Sequence, residues 1–137
     1  MSGQNVETMR AAYAAWNRND LDDVLRIIHQ DLVWEEDSEI SGVGLDSIYR
    51  GHGGYLKRQR DAFGIWHQVR TEDEDYLDVG EHVVVSFRAV ARSRQSNVEI
   101  EMPLVEVFTL RDGKIIRRRV YRDRAAALRA VGCGGVV

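Results

Sequence analysis

After Trp66 the apolar residues of this chain stop recurring at every third or fourth position and begin to alternate. That change of period constrains the fold more than any other feature of the sequence. Spacings of three and four lay a stripe along a helix, whereas a spacing of two fills one face of a strand. Before the change, Val6, Met9, Tyr13 and Trp16 form one stripe within residues 5–17. The run NRND ends it and offers Asp20 as N-cap of a second helix, with Leu21, Val24, Leu25 and Ile28 as its buried face. LVWEE, residues 32–36, is short and rich in strand formers, and a polar, glycine-containing connection follows over 37–54. Leu56, Phe63 and Trp66 then place a third helix.

Beyond Trp66 the spacing predicts strands. Val69 opens one that runs into the acidic tract 72–75, and residues 81–94, 97–110 and 114–123 supply three more. DVG, QSN and RDG separate them with turn chemistry. Asp123 caps a short final helix, RAAALRAV, and the glycine-rich tail behind it is expected to fray. Helices first and an antiparallel meander second make the class α+β, with the helices on one face of a curved sheet. The 137 residues fit a single domain, 1–137, that can bury a core without metal or disulfide.

The bulk charge narrows the partners. A net charge of −3 gives no reason to expect a polyanion. Arg117, Arg118 and Arg119 alternate between the two faces of a strand without an aromatic platform, so nucleic acid is not expected. The lone Cys133 cannot form an internal disulfide, which favours a reducing, cytoplasmic setting. MSGQNVETMR lacks the apolar core of a signal peptide, and no apolar run reaches membrane-spanning length.

The stretch YRGHGGYLKRQRDAF sets a histidine among three glycines ahead of the third helix. A phosphate loop needs a strand before it and Gly-Lys-Ser/Thr at its end, and neither is present. The glycines are therefore read as a sharp turn into the helix, with His52 as a candidate catalytic residue above a pocket. No metal set is expected, because His29, His52, His67 and His82 lie at unrelated spacings.

Polar residues on apolar rows are more informative. Val98, Ile100, Met102, Leu104, Phe108 and Leu110 make the even row of one strand the buried row, and Glu106 interrupts it. A carboxylate in that position is costly unless it is paired or faces a wet cavity. A three-residue RDG loop with a bulge at Gly113 puts Arg118 opposite Glu106, whereas a two-residue Asp-Gly turn puts Arg119 there. A short turn at QSN brings Ser86 and Arg88 onto the same row, giving a cluster of Glu106, Arg118, Arg88 and Ser86 inside the sheet's concavity. The odd row, Val105, Val107 and Thr109, leaves apolar surface on the far face and predicts a homodimer. On the first strand Trp34 and Glu36 share a face, so an indole wall stands beside a carboxylate.

With these residues in view, the chain resembles the SnoaL-like branch of the nuclear transport factor two-like superfamily, relatives of ketosteroid isomerase and limonene epoxide hydrolase. The likeness covers nearly the whole chain. It rests on AAYAAWNRNDLDDVLRIIHQDLVWEE, on YRGHGG and on PLVEVFTLRDGKIIRRRVYRDRAAAL. It implies a cone: a curved antiparallel sheet wrapped on three helices of the N-terminal half, with an enclosed pocket in the hollow, commonly as a homodimer. Ketosteroid isomerases carry a general-base aspartate at the position of Glu36 and an oxyanion-hole aspartate at that of Glu106. Their tyrosine donor falls at Ala12, beside Tyr13. The last-strand aspartate of SnoaL cyclases and of epoxide hydrolases falls at Val120, which argues against both chemistries.

The expected function is small-molecule binding, with a cofactor-independent isomerase or cyclase-like lyase as the enzyme reading. Glu36 is then the base, Glu106 and His52 are the other catalytic candidates, and a hydrophobic ligand occupies the cone. Tyr13, Trp16, Trp34, Phe63, Ser86, Arg88, Phe108, Arg118 and Val120 line the pocket. The rival class is a non-catalytic ligand-binding or dimerisation module of the same fold.

Overall fold

The computed structural model describes residues 2–41 and 44–132. The tail expected to fray, with Cys133, lies outside the described residues. Helix α1 spans Ser2–Asn17 and α2 spans Leu21–Ile27, and the Asp20 carboxylate caps α2 by accepting from Asp23 N at 3.1 Å. Strand β1, Ile28–Glu35, starts earlier than its apolar core suggested, so Ile28 is buried from a strand rather than from the second helix. The polar connection is not structureless. It contains a short helix α3, Ser38–Ser41, and strand β2, Ile48–Arg50, which pairs antiparallel with β1.

The glycine stretch begins helix α4, Gly51–Ile65, with Gly51 at φ +66 and no side-chain cap at Arg50. A Cβ on Gly51 would stand 3.1 Å from Gln30 O, so both backbone angle and space favour glycine there. Four strands follow: β3 over Trp66–Val79, β4 over His82–Ser93, β5 over Glu99–Arg111 and β6 over Lys114–Tyr121. Helix α5, Arg124–Ala130, closes the described chain, capped by Asp123, which accepts from Ala126 N at 2.8 Å. No helix among the described residues is long and apolar enough to cross a membrane.

The sheet order is β2-β1-β6-β5-β4-β3. It is not wholly antiparallel: β1 runs parallel to β6, an arrangement permitted by the long connection between them. Register shifts in β3, with Gln68 and Asp73 at positive φ, bend the meander around the helices. On the concave side Val83, Val85, Phe87, Phe108 and Leu110 pack against Met9, Ala12 and Tyr13 of α1.

Three expectations change here. Val105 and Val107 are 5% and 0% exposed, because α5 covers that convex face with Ala127 and Leu128. The apolar surface expected there is therefore already buried within one chain. On the even row, Val98, Ile100 and Met102 are 55%, 38% and 40% exposed. Sixteen helical residues reach about 24 Å, and thirteen strand residues about 43 Å, so the far end of β5 outruns α1. Finally, the β4–β5 connection is a four-residue turn in which Asn97 N donates to Ser93 O, with Asn97 at φ 57. That length sets Glu106 opposite Val85 and Ser86 opposite Val105. Ser86 and Arg88 thus stand on the convex face, one residue out of phase with the row expected for them.

Candidate functional site

The site is assembled where the ends of β1 and β6 meet the middle of β5, under α1 and α4. Strand alternation turns Trp34 and Glu36 inward, while Glu35 turns outward to meet Arg117 Nε at 2.6 Å. The Glu36 side chain is only 2% exposed. Its Oε2 accepts from Trp34 Nε1 at 2.8 Å and from Arg58 Nε at 2.8 Å. Its Oε1 lies 3.0 Å from Arg118 Nη1.

Arg118 is the shared partner. Its Nε meets Glu106 Oε2 at 2.5 Å, its Nη1 also donates to the Glu35 carbonyl at 2.8 Å, and its guanidinium carbon stands 4.7 Å from the Trp34 ring centroid. Glu106 then accepts a hydrogen bond from the Tyr13 hydroxyl through Oε1. One continuous chain results: Arg58, Glu36, Arg118, Glu106, Tyr13. Two carboxylates are balanced by two guanidinium groups, which is the condition under which buried charge is tolerable.

Burial opposes the positive charge of Arg118, but Glu106 and then Glu36 outweigh it and leave its pKa raised. Burial, followed by the charge of Glu106, pushes the Tyr13 phenol well above its ordinary range. Aromatic rings fill the space around the chain: Tyr13 meets Trp16, Phe87 and Phe108 edge-on at 4.9, 5.6 and 5.9 Å. Trp16 Nε1 donates to Tyr55 Oη at 2.5 Å, and Trp34 packs on Tyr55 at 5.3 Å.

The structure brings Glu36, Glu106, Arg118, Tyr13, Trp16, Trp34 and Phe108 together, with Val120 opposite Glu106. Neither anticipated register is the observed one. Arg111 pairs with Lys114 across a two-residue Asp-Gly turn, and a bulge between Thr109 and Leu110 then shifts the ladder. Arg118 ends opposite Phe108 and reaches Glu106 diagonally. Ser86 and Arg88 do not belong to the cluster. Arg88 pairs with Glu72, Asp73 and Glu101 on the convex face, and Ser86 Oγ is buried there without a hydrogen-bond partner. His52 Nε2 lies 2.8 Å from Ile28 O, at the start of β1, whereas Glu36 follows its end. Phe63 is 47% exposed at the rim of a cleft between the helices.

Arg58 and Tyr55 were missed. Tyr55 and Arg58 are three apart on α4 and so share a face, a signal available in YLKR once that helix is placed. Among the described residues, no group of three or more His, Cys, Asp or Glu side chains could hold a metal ion. A larger surface recess of about 970 Å³ lies between the start of α1 and the β5–β6 turn, and none of the charge-chain residues lines it.

The family model described as SnoaL-like domain matches residues 9–118. Among solved structures, an NTF2-like protein of unknown function from Burkholderia pseudomallei is 22% identical with a TM-score of 0.80, covering 94% of this chain and 98% of its own. TerC, crystallised with polyporic acid, is 23% identical with a TM-score of 0.79, over 93% of this chain and 98% of that one. A candidate polyketide cyclase from Pseudomonas putida is 16% identical with a TM-score of 0.74, over 88% and 92%. At these identities the likeness speaks for the cone-shaped fold. No curated protein matches the chain by sequence.

Proposed function

The chain belongs to the SnoaL-like domain family, and from that premise we propose a small-molecule enzyme that moves a proton at carbon without a cofactor, an isomerase or cyclase-like lyase. The observation that carries this reading is the convergence of two buried carboxylates, Glu36 and Glu106, on the single guanidinium of Arg118. Glu36 takes the proton from a carbon beside a carbonyl, and the electron pair of that C–H bond passes to the carbonyl oxygen as an enolate. Before transfer the chain of four charges sums to zero. Afterwards Glu36 is neutral and the chain carries one net positive charge, held mainly by Arg58 and Arg118, to face the new oxyanion. Returning the proton to another carbon completes an isomerisation.

The ligand is a hydrophobic small molecule, for which the aromatic interior and the crystallisation of TerC with polyporic acid are the support. The protein works as a homodimer in a reducing, cytoplasmic setting. The surface that supports dimerisation is the exposed apolar row of Val98, Ile100 and Met102 with Val69, in place of the covered Val105 and Val107.

The test is solvent exchange. Enolisable aryl ketones are incubated in D2O, and deuterium uptake beside the carbonyl is followed by NMR. Glu36→Gln keeps the shape and removes the base, so exchange should fall by roughly 10²–10⁴-fold while binding persists. An unchanged rate removes Glu36 from the mechanism.

One observation favours a second reading, a non-catalytic binding or dimerisation module. Both oxygens of Glu36 are already engaged, by Trp34, Arg58 and Arg118. On that reading the same ketones bind and no exchange above the buffer rate occurs.

A further inference from the structure

One member of the buried charge chain faces outward. The Arg58 side chain is 22% exposed, whereas those of Glu36 and Arg118 are 2% and 5% exposed. Its Nε donates to Glu36 Oε2 at 2.8 Å and its Nη1 to Gln59 Oε1 at 3.3 Å. A guanidinium carries five N–H donors, and among the described residues no other acceptor meets this one. Arg118 differs, because two carboxylates and a backbone carbonyl hold it inside the fold.

The surroundings leave Arg58 to an anion from outside the chain. Lys57, the preceding residue on α4, takes both Asp46 and Asp61, at 2.9 and 2.8 Å. The Trp34 ring, with its centroid 5.6 Å from the guanidinium carbon, backs Arg58 on the inner side. Helix α4 carries three cations, Lys57, Arg58 and Arg60, against the single carboxylate of Asp61. It is therefore locally positive on a chain whose net charge is −3, and such a segment draws anions to itself.

We propose that Arg58 selects the ligand by charge: the site takes an aromatic ketone that also bears a carboxylate. That carboxylate binds the outward N–H groups of Arg58, while Glu36 keeps the inward one. A planar guanidinium can hold two carboxylates at once, and Arg118 already does so with Glu36 and Glu106. The assignment rests on the reading of this charge chain as the site of a small-molecule ligand. It adds a rule of spacing. Two carboxylates on one guanidinium are close neighbours, so the carbon that gives its proton to Glu36 stands within a few bonds of the ligand's own carboxylate.

Two probes of nearly equal shape test it. One is 4-oxo-4-phenylbutanoate, an enolisable aryl ketone that is anionic at neutral pH, and the other is its uncharged primary amide. Their affinities are measured by calorimetry for the full chain and for Arg58→Met, Arg58→Lys and Arg60→Met. The wild-type protein should prefer the acid, and the acid-to-amide affinity ratio should fall by about 10–100-fold in Arg58→Met, the worth of a hydrogen bond between charged groups. A purely structural role for Arg58 would weaken both probes alike. A ratio unchanged in Arg58→Met therefore overturns the proposal, as do equal wild-type affinities or no binding of either probe. Arg58→Lys keeps the charge without the planar fork and should give an intermediate ratio. Should Arg58→Met fail to fold, that smaller drop decides, and an Arg58→Lys ratio equal to wild type overturns the proposal. Arg60→Met should change the ratio less than the Arg58 substitutions do, and the opposite order would place the anion elsewhere on α4. In Glu36→Gln the preference for the acid should hold or grow whatever happens to proton exchange, because one carboxylate fewer competes for Arg58. The two ideas thus fail separately.

Discussion

Arg118 and Glu106 are joined at 2.5 Å although they do not face each other across the sheet: Glu106 stands opposite Val120 and Arg118 opposite Phe108. Diagonal neighbours on one face lie roughly 7–8 Å apart, a gap that a long guanidinium side chain spans. The same guanidinium holds Glu36 at 3.0 Å, so a single cation neutralises two buried carboxylates.

Removing that cation should be severe. Arg118→Met leaves Glu36 and Glu106 buried with one guanidinium between them, and the fold should lose roughly 3–5 kcal/mol in urea denaturation. A loss near zero would mean that the carboxylates can find water or another donor.

Tyr13 makes stability depend on alkaline pH. Its folded pKa is raised, by burial first and by Glu106 second. In the unfolded chain a tyrosine releases its proton near pH ~10, whereas the folded protein retains it. The contribution is therefore complete below that pH and is lost as pH rises above it, by about 1.4 kcal/mol per pH unit. Tyr13→Phe should show a shallower decline between about pH 10 and 11, together with a loss of about 1.5–3 kcal/mol at neutral pH from the hydrogen bond to a charged acceptor. Equal slopes for the two proteins would contradict the assignment.

Arg58 is the more accessible of the two cations, with 22% of its side chain exposed, yet its partner carboxylate is buried. Arg58→Met should cost about 1.5–3 kcal/mol, the value of a charged hydrogen bond, and less than Arg118→Met in the same assay. The reverse ranking would show that Arg58 rather than Arg118 carries Glu36.

His52 bonds a backbone carbonyl of β1 and none of the charge chain. His52→Ala is expected to lower stability by about 0.5–1.5 kcal/mol and to leave deuterium exchange untouched. A loss of exchange without a loss of stability would return His52 to the catalytic candidates.

Association is read by sedimentation at micromolar concentration. A dimer is expected, and Met102→Glu should weaken it, since Met102 is 40% exposed on the overhanging row. A wild-type monomer would refute the dimer outright, and a dimer indifferent to Met102→Glu would move the interface elsewhere.

Local sequence by itself determined the order of α1, α2, β1, α4, the four strands β3 to β6 and α5, though not α3 and β2 inside the polar connection, together with the caps at Asp20 and Asp123 and the inward face shared by Trp34 and Glu36. Each of these depends on neighbours a few residues away. The oddity of Glu106 on an apolar row was equally legible, because burying a carboxylate demands a partner wherever the chain goes. What the sequence could not decide was phase. One more residue in the β4–β5 turn moved Ser86 and Arg88 to the other face, and one bulge in β5–β6 set Arg118 diagonal to Glu106. Strand faces alternate with a period of two, so a single-residue slip inverts every side chain beyond it. The parallel placement of β1 beside β6, the cover that α5 gives Val105 and Val107, and the approach of Arg58 and Tyr55 to β1 arise only when distant segments pack. Those contacts join residues tens of positions apart, and local spacing carries no information about them.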